Sequence, residues 1–206
     1  MNITLQNLGR RFNQEWIFKG INYTFSSEKT YAILGPNGSG KSTLIKVLTG
    51  QLTPSEGSIS YHNNDLKIDV EDIYKNISIA APYIELIEEF TLRELLEFHF
   101  KFKPFHPNFD ISGIIDVLGM EKSAHKNLKF FSSGMKQRVK LALACCSDSQ
   151  ILFLDEPTSN LDTSGEAWYL DIVKATAAPN RLLIIGSNQE KEYNFCDEKF
   201  NITSYK

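Results

Sequence analysis

The chain has 206 residues, of which 42% are hydrophobic and 23% are charged, and its formal net charge at pH 7 is −3. These values are typical of one large or two small globular domains, and they exclude a general electrostatic attraction to nucleic acid or anionic lipid. No apolar run approaches the roughly 20 residues that cross a bilayer, and the N-terminal segment lacks the apolar core of a secretory signal, so we expect membrane contact only through a partner.

The first part of the chain reads as short strands. Alternating apolar and polar residues, or short apolar runs, predict strands at 3–8, 21–25, 30–34, 58–62 and 76–81. Three cysteines, two of them adjacent at 145 and 146, offer no disulfide framework and are expected to be reduced thiols. The four histidines have no metal-ligand spacing.

The strongest local signal, GPNGSGKST, lies between the strand at 30–34 and a helical pattern. Its glycines let successive backbone N–H groups point inward at an anion, and the helix N-terminus adds a positive dipole end. Lys41 is expected to reach the β- and γ-phosphates, and the Ser42 hydroxyl to ligate Mg²⁺. The predicted nucleotide-binding residues of this segment are Gly35, Pro36, Asn37, Gly38, Ser39, Gly40, Lys41, Ser42 and Thr43.

The middle of the chain is helical. Thr91 is predicted to cap a helix, with Glu94 completing a capping box. Prolines at 104 and 107 interrupt that helix, a second is predicted over 111–118, and a third begins near 132–134. Five phenylalanines, at 98, 100, 102, 105 and 109, either fill the core of this region or form a surface for a partner.

The last third alternates between strand and helix. ILFL places Asp155 and Glu156 at the carboxyl end of a buried strand, where Asp155 is suited to hold Mg²⁺ and Glu156 to activate a water. This strand is followed by a helix, a second buried strand at 181–187 and an edge strand at 199–205. This order predicts an α/β core with a mostly parallel sheet, residues 1–81 and 149–206, into which a helical lobe, about 82–148, is inserted.

The segments GPNGSGKST, FSSGMKQR and LDEPTSNLD together resemble the ATP-binding subunit of an ATP-binding cassette (ABC) transporter, over essentially the whole chain. The resemblance implies one P-loop NTPase domain over residues 1–206, with an N-terminal antiparallel β subdomain and a helical subdomain. It also implies ATP and Mg²⁺ as ligands. Two ATPase subunits, of this chain or of this chain and a related one, would form a head-to-tail dimer and drive a separate transmembrane permease subunit.

The same resemblance implies that the FSSG segment acts on the ATP that the opposite subunit binds. Ser132 Oγ and the Gly134 N–H would bind the γ-phosphate of the partner's ATP, and Asp162 would lie near the subunit interface. The segment departs from the family pattern at Phe131, Ser133 and Met135. Phe12 stands where the family stacks an aromatic ring on adenine; Trp16 is the alternative, and both could be ordinary packing residues.

Two further departures concern catalysis. Pro82 or a neighbour stands where the family has a glutamine that senses Mg²⁺, so that contact is missing or replaced by water, Tyr83 or Glu85. Asn188 stands in place of the family's switch histidine, and is expected to donate to the γ-phosphate with slower turnover than a histidine would give. The alternative is that Asn188 caps the helical turn that follows.

The resemblance therefore implies a transport-coupled ATPase, with Glu156, Lys41 and Asn188 as its catalytic residues. It would lie in the cytoplasm, bound to the inner face of the cell membrane through its partner, with no nucleic-acid ligand. Two other functions are a soluble ABC-type ATPase without a transport role and a weakly hydrolysing, nucleotide-dependent regulatory module.

Overall fold

The computed structural model describes residues 1–64 and 66–206, which form nine strands and six α-helices. The strands are β1 (Asn2–Phe12), β2 (Glu15–Ser26), β3 (Thr30–Leu34), β4 (Glu56–Asn63), β5 (Leu66–Ile68), β6 (Ile77–Ala80), β7 (Ile151–Asp155), β8 (Leu182–Ser187) and β9 (Glu198–Asn201). The helices are α1 (Lys41–Leu48), α2 (Leu92–His99), α3 (Ile111–Leu118), α4 (Ser133–Cys145), α5 (Thr163–Ala175) and α6 (Glu190–Tyr193).

The N-terminal strands form an antiparallel sheet in the order β2-β1-β4-β5. Its inner face is apolar, because Ile3, Leu5 and Leu8 on β1 are buried together with Ile21 and Phe25 on β2. The opposite face is largely exposed, which is the alternation that a half-buried sheet requires. This sheet confirms the predicted antiparallel subdomain.

The central sheet is parallel throughout, in the order β6-β7-β8-β3-β9. Every residue of β7 and β8 is buried, because helices or the other sheet cover both faces, and this explains their continuous apolar sequences. Strand β3 comes early in the chain, but its two neighbours in the sheet, β8 and β9, come from beyond residue 181. The predicted α/β core with a mostly parallel sheet is confirmed.

Three helices, α2 to α4, lie between β6 and β7 in the chain. Thr91 caps α2: its hydroxyl accepts from Glu94 N, and the Glu94 carboxylate accepts from Thr91 N at 2.8 Å, which confirms the capping box. Gly119 ends α3 in the left-handed region, with φ +65°. The boundaries of the helical lobe at about residues 82 and 148 stay a prediction.

The C-terminal prediction was partly wrong. The edge strand ends at Asn201 instead of continuing to 205, and Ile202–Tyr205 form a 3₁₀ turn. The Asn201 side chain causes this, since its Oδ1 accepts from the Thr203 N–H at 3.0 Å and from the Thr203 hydroxyl at 2.8 Å. The turn buries Ile202 against the core. Cys145, Cys146 and Cys196 are free, as predicted.

Candidate functional site

The GPNGSGKST segment, residues 35–43 and called the phosphate loop below, joins the end of β3 to α1. Gly40 has φ +105°, and a Cβ there would lie 2.5 Å from the Ile17 side chain, so only glycine fits. Lys41 is buried at the start of α1, where its Nζ donates to Gly35 O at 2.8 Å and Pro36 O at 3.3 Å. The ammonium group therefore lies inside the curve of the loop.

The first turn of α1 contains no acidic side chain, and its cap residue, Gly40, has no side chain to satisfy the free N–H groups. The positive end of the helix dipole is therefore left for a ligand. Together with Lys41, this is an arrangement that binds phosphate. The cleft at this point is lined by Ile17, Asn37, Gly38, Gly40, Lys41, Ser42, Thr43 and Glu156.

Asp155 ends β7, two strands away from β3 in the sheet, and is fully buried. Neither of its carboxylate oxygens has a hydrogen-bond partner within residues 1–64 and 66–206. Burial is the main cause that raises the pKa of Asp155 to about 6, partly offset by the nearby Ser42 hydroxyl and the Lys41 ammonium. A desolvated carboxylate without a partner is suited to a cation.

A carboxylate and a hydroxyl beside phosphate oxygens fit Mg²⁺, which typically takes one or two protein oxygens and keeps several waters. Ser42 and Asp155 would supply those two oxygens. In the described part of the chain there is no cluster of three or more His, Cys, Asp or Glu side chains that could hold a metal by itself. The residues therefore fit a magnesium ion that arrives with a nucleotide.

Glu156 is the next residue and lines the phosphate-loop cleft. Its backbone has φ +44°, in the left-handed region, and is held there by hydrogen bonds from Glu156 N to Gly186 O at 2.8 Å and from the Ser159 hydroxyl to Glu156 O at 2.8 Å. A non-glycine residue in that region costs about 1–3 kcal/mol. In this conformation Glu156 lines the phosphate-loop cleft, although it directly follows a buried strand.

Asn188 follows β8, the strand between β7 and β3. Its Nδ2 donates to Asn37 Oδ1 in the phosphate loop at 2.9 Å. The cap of α6 is Gln189, without a side-chain capping bond, so the alternative that Asn188 caps this helix was wrong. The structure brings Asn188 to the loop, and its contact with the γ-phosphate stays a prediction.

A second cleft, the signature cleft, is formed by Ser132, Gly134, Met135, Arg138, Asn160 and Asp162. Ser132 caps α4, with its Oγ accepting from Met135 N at 3.2 Å. A Cβ at Gly134 would lie 2.9 Å from Asn160 O, so glycine is required for this close approach. Asp162 caps α5 by accepting from Gly165 N at 2.8 Å. The two clefts have no lining residue in common.

Both candidate adenine-stacking rings lie on the β1–β2 hairpin. Phe12 is 47% exposed and the Arg10 guanidinium lies 4.6 Å from its ring centre, whereas Trp16 is half-buried with Lys19 Nζ at 4.8 Å. A Cβ at Gly9 would lie 2.9 Å from the Trp16 ring, so Trp16 is packed against the sheet. Phe12 is the more accessible ring, and its role in stacking stays a prediction.

The five phenylalanines of 98–109 divide into two groups. Phe100 stacks on Phe105 with centroids 4.1 Å apart, and both pack with Phe109 against the core. Phe98 and Phe102 are 42% and 73% exposed and line an apolar groove. The other apolar residues of this groove include Tyr74, Ile79, Ile84, Ile87, Leu95 and Leu143.

Sequence reasoning missed two residues at the site. Ile17 lines the phosphate-loop cleft, and no local pattern distinguishes it from other apolar strand residues. Glu192 is buried on α6, accepts from Thr158 N at 3.0 Å and from the hydroxyls of Thr158 and Ser187, and so joins the ends of β7 and β8. In the sequence it resembles a solvated glutamate among other charges.

Residues 18–159 match the family model described as "ABC transporter". The chain is 31% identical over 196 residues to an uncharacterized ABC transporter ATP-binding protein of Bacillus subtilis, YybJ, covering 95% of this chain and 89% of that protein. It is 28% identical over 199 residues to the Nod factor export ATP-binding protein I of Burkholderia lata, covering 95% of this chain and 66% of that protein.

A solved structure has the same fold. It is the dimeric, post-hydrolysis state of an ATP-binding cassette bound to ADP and Pi, with a TM-score of 0.81 and 20% identity, covering 97% of this chain and 94% of that one. Within the described ranges, 1–64 and 66–206, no helix is long and apolar enough to span a bilayer.

Proposed function

Because this chain belongs to the ABC transporter family, as an ATP-binding subunit that hydrolyses ATP, we propose that two copies enclose two Mg²⁺-ATP molecules head to tail and drive a separate transmembrane partner. The observation that carries the proposal is the separation of two incomplete sites on one chain. The phosphate loop lines one cleft, and that cleft shares no lining residue with the signature cleft. Each cleft would complete the other in a second copy.

In this arrangement the phosphate loop binds the α- and β-phosphates through backbone N–H groups, and Lys41 neutralises the β- and γ-phosphates. Ser132 Oγ and the Gly134 N–H of the second copy close over the γ-phosphate at the N-terminus of α4. Ser42 and Asp155 would hold Mg²⁺, which neutralises phosphate charge when bound. Glu156 orients the attacking water and accepts its proton.

Two single variants, mixed, test the shared site. Lys41→Ala disables the phosphate loop, and Ser132→Asp keeps a helix cap but places a negative charge against the phosphate. Each variant alone is expected to lose ATPase activity. A 1:1 mixture should regain about a quarter of the wild-type rate, because half the dimers are mixed and each of these has one intact site.

The matched control is a mixture of Lys41→Ala with Glu156→Gln. Both changes lie in the same half, so no mixed dimer has an intact site and no activity should return. If the first mixture stays inactive although Ser132→Asp binds ATP in its intact phosphate loop and mixed dimers form, the two-copy site is wrong.

The groove containing Phe98 and Phe102 is the surface that we assign to the transmembrane partner, because it is an apolar, exposed groove that includes residues of the helical lobe. The protein would then lie on the inner face of the cell membrane. Phe102→Asp should reduce co-sedimentation with membranes that contain the partner while leaving soluble ATPase activity intact. Leu66→Asp, with the same 73% exposure on the antiparallel sheet, is the control and should change neither.

A further inference from the structure

Two buried polar groups without partners lie at the same edge of the central sheet. Tyr83 follows β6, and Asp155 ends β7, its parallel neighbour in the sheet, so both lie at the same edge. The Tyr83 hydroxyl and both Asp155 oxygens are inaccessible and unbonded within the described chain. Burial raises the pKa of Tyr83, and the charge of Asp155 raises it further. A buried pair of this kind needs a bridging group.

The ring of Tyr83 is fixed by the helix that follows the phosphate loop. Lys46, on α1, places its Nζ 4.0 Å from the ring centre of Tyr83. This cation–π contact holds the Tyr83 ring against α1.

The segment is also tied to the helical lobe. Lys140, on α4, donates to Pro82 O at 3.2 Å. The same helix begins at the signature cleft. Pro82 and Tyr83 thus connect the carboxylate at the end of β7 to the helix that carries Ser132.

We propose that Tyr83 is a positioning residue for the divalent cation: its hydroxyl donates, directly or through one water, to the Asp155 carboxylate and orients it towards the ion. This rests on the proposed function, in which Asp155 holds Mg²⁺. Groups that orient a metal-binding carboxylate typically change metal affinity 10- to 100-fold when they are removed. Tyr83→Phe removes only the hydroxyl and keeps the ring over Lys46.

The test measures binding of Mn²⁺, a spectroscopic probe for Mg²⁺, to the full chain with a non-hydrolysable ATP analogue. Tyr83→Phe should raise the Mn²⁺ dissociation constant about tenfold. Binding of the analogue in EDTA should be unchanged, which separates a metal effect from a general defect in the site. Tyr74→Phe, the same change at an exposed tyrosine that precedes β6, is the control and should leave Mn²⁺ binding as in wild type.

A second measurement follows Tyr83 itself in the wild-type protein, with Tyr83→Phe used only to assign its signal. Wild-type protein with ¹³C-labelled tyrosine should show one resonance that is absent in Tyr83→Phe. That resonance should shift when Mg²⁺ is added to the metal-free complex with the ATP analogue. An Mn²⁺ constant within twofold of wild type, or a Tyr83 resonance that ignores the metal, overturns the proposal. If Asp155→Asn also leaves Mn²⁺ affinity unchanged, the magnesium site itself, and not only Tyr83, is wrong.

Discussion

The two half-sites of this chain are built in different ways. The phosphate loop lies at the carboxyl ends of adjacent buried strands, and its geometry comes from backbone, with Gly40 in the left-handed region and Glu156 strained. The signature cleft lies at the starts of two helices, α4 and α5, and its polar groups are the caps of those helices. The first half is fixed by the sheet, whereas the second is fixed by the starts of two helices.

One hydrogen bond between the halves lies next to Glu156. Gln137, on α4, is buried and donates to Pro157 O at 2.8 Å, directly after Glu156. Changes in the phosphate-loop half should therefore affect chemistry in the same copy, and changes in the signature half should affect the completed dimer. The following predictions separate the two.

The largest effect is expected from Glu156→Gln. The amide cannot accept the proton of the attacking water, so the rate of hydrolysis should fall at least about 100-fold. ATP binding should remain, and size-exclusion chromatography with Mg²⁺-ATP should show an accumulated dimer. Hydrolysis at the wild-type rate would remove the assignment of Glu156 as the base.

Gly134→Ala should break the other half. The added methyl group would meet Asn160 O at about 2.9 Å and push the start of α4 away. We expect a loss of about tenfold or more in ATPase rate, with unchanged binding of a fluorescent ATP analogue to the monomer. Gly113→Ala, in α3 of the same lobe, has no contact under 3.3 Å and is the control. Weaker monomer binding in Gly134→Ala would show that the halves are not independent.

Asn188→His should raise the rate, by up to about tenfold, because a histidine reaches further and can carry positive charge towards the γ-phosphate. Asn188→Ala should lower the rate, since it also removes the contact with Asn37. Steady-state ATPase assays at saturating ATP distinguish these outcomes. An unchanged or slower Asn188→His would mean that the carboxamide is not a replacement for the switch residue.

The smallest effect at neutral pH concerns stability. Burial lowers the pKa of His99, whose ring is hydrogen-bonded to Ser147 in the helical lobe, to about 4. Because folding opposes its protonation, the stability it contributes is complete above pH 6.5 and is lost as the pH falls towards 4. The pKa of Asp155 is raised to about 6, so its contribution has the opposite sign: it is complete below about pH 4 and is lost as the pH rises through 6.

Chemical denaturation of wild type and His99→Gln from pH 7.5 to 4.5 measures this. The wild-type free energy of unfolding should fall by about 1–3 kcal/mol more than that of the variant between pH 6.5 and 4.5. Parallel curves for the two proteins would show that His99 does not titrate with unfolding.

Much of the phosphate-loop half could be predicted from sequence, because its signal is local. GPNGSGKST sits between a strand and a helix, and Asp155 ends an apolar run, so spacing alone placed Lys41, Ser42 and Asp155 at one sheet edge. The caps at Thr91 and Ser132 were predictable for the same reason: a capping side chain and its partner are three residues apart.

What could not be predicted depends on residues distant in sequence. The burial of Glu192 requires that Thr158 and Ser187 meet it, which only the β7–β8 pairing brings about. Nothing local indicates that Ile17 lies against the phosphate loop. The turn at Asn201 was missed because the apolar pattern of KFNITSY predicts a continuous strand. The strand ends because the Asn201 side chain accepts a hydrogen bond from the Thr203 N–H.

The position of β3 between β8 and β9 also has a consequence for how the protein is made. Residues 35–43 leave the ribosome early, but the strands on both sides of β3 end at residues 187 and 201. Since β3 cannot pair on both sides until those strands are synthesised, the nucleotide site is completed only after residue 201 has been translated. Until then the growing polypeptide holds the phosphate-loop sequence without the neighbouring strands that give it its shape.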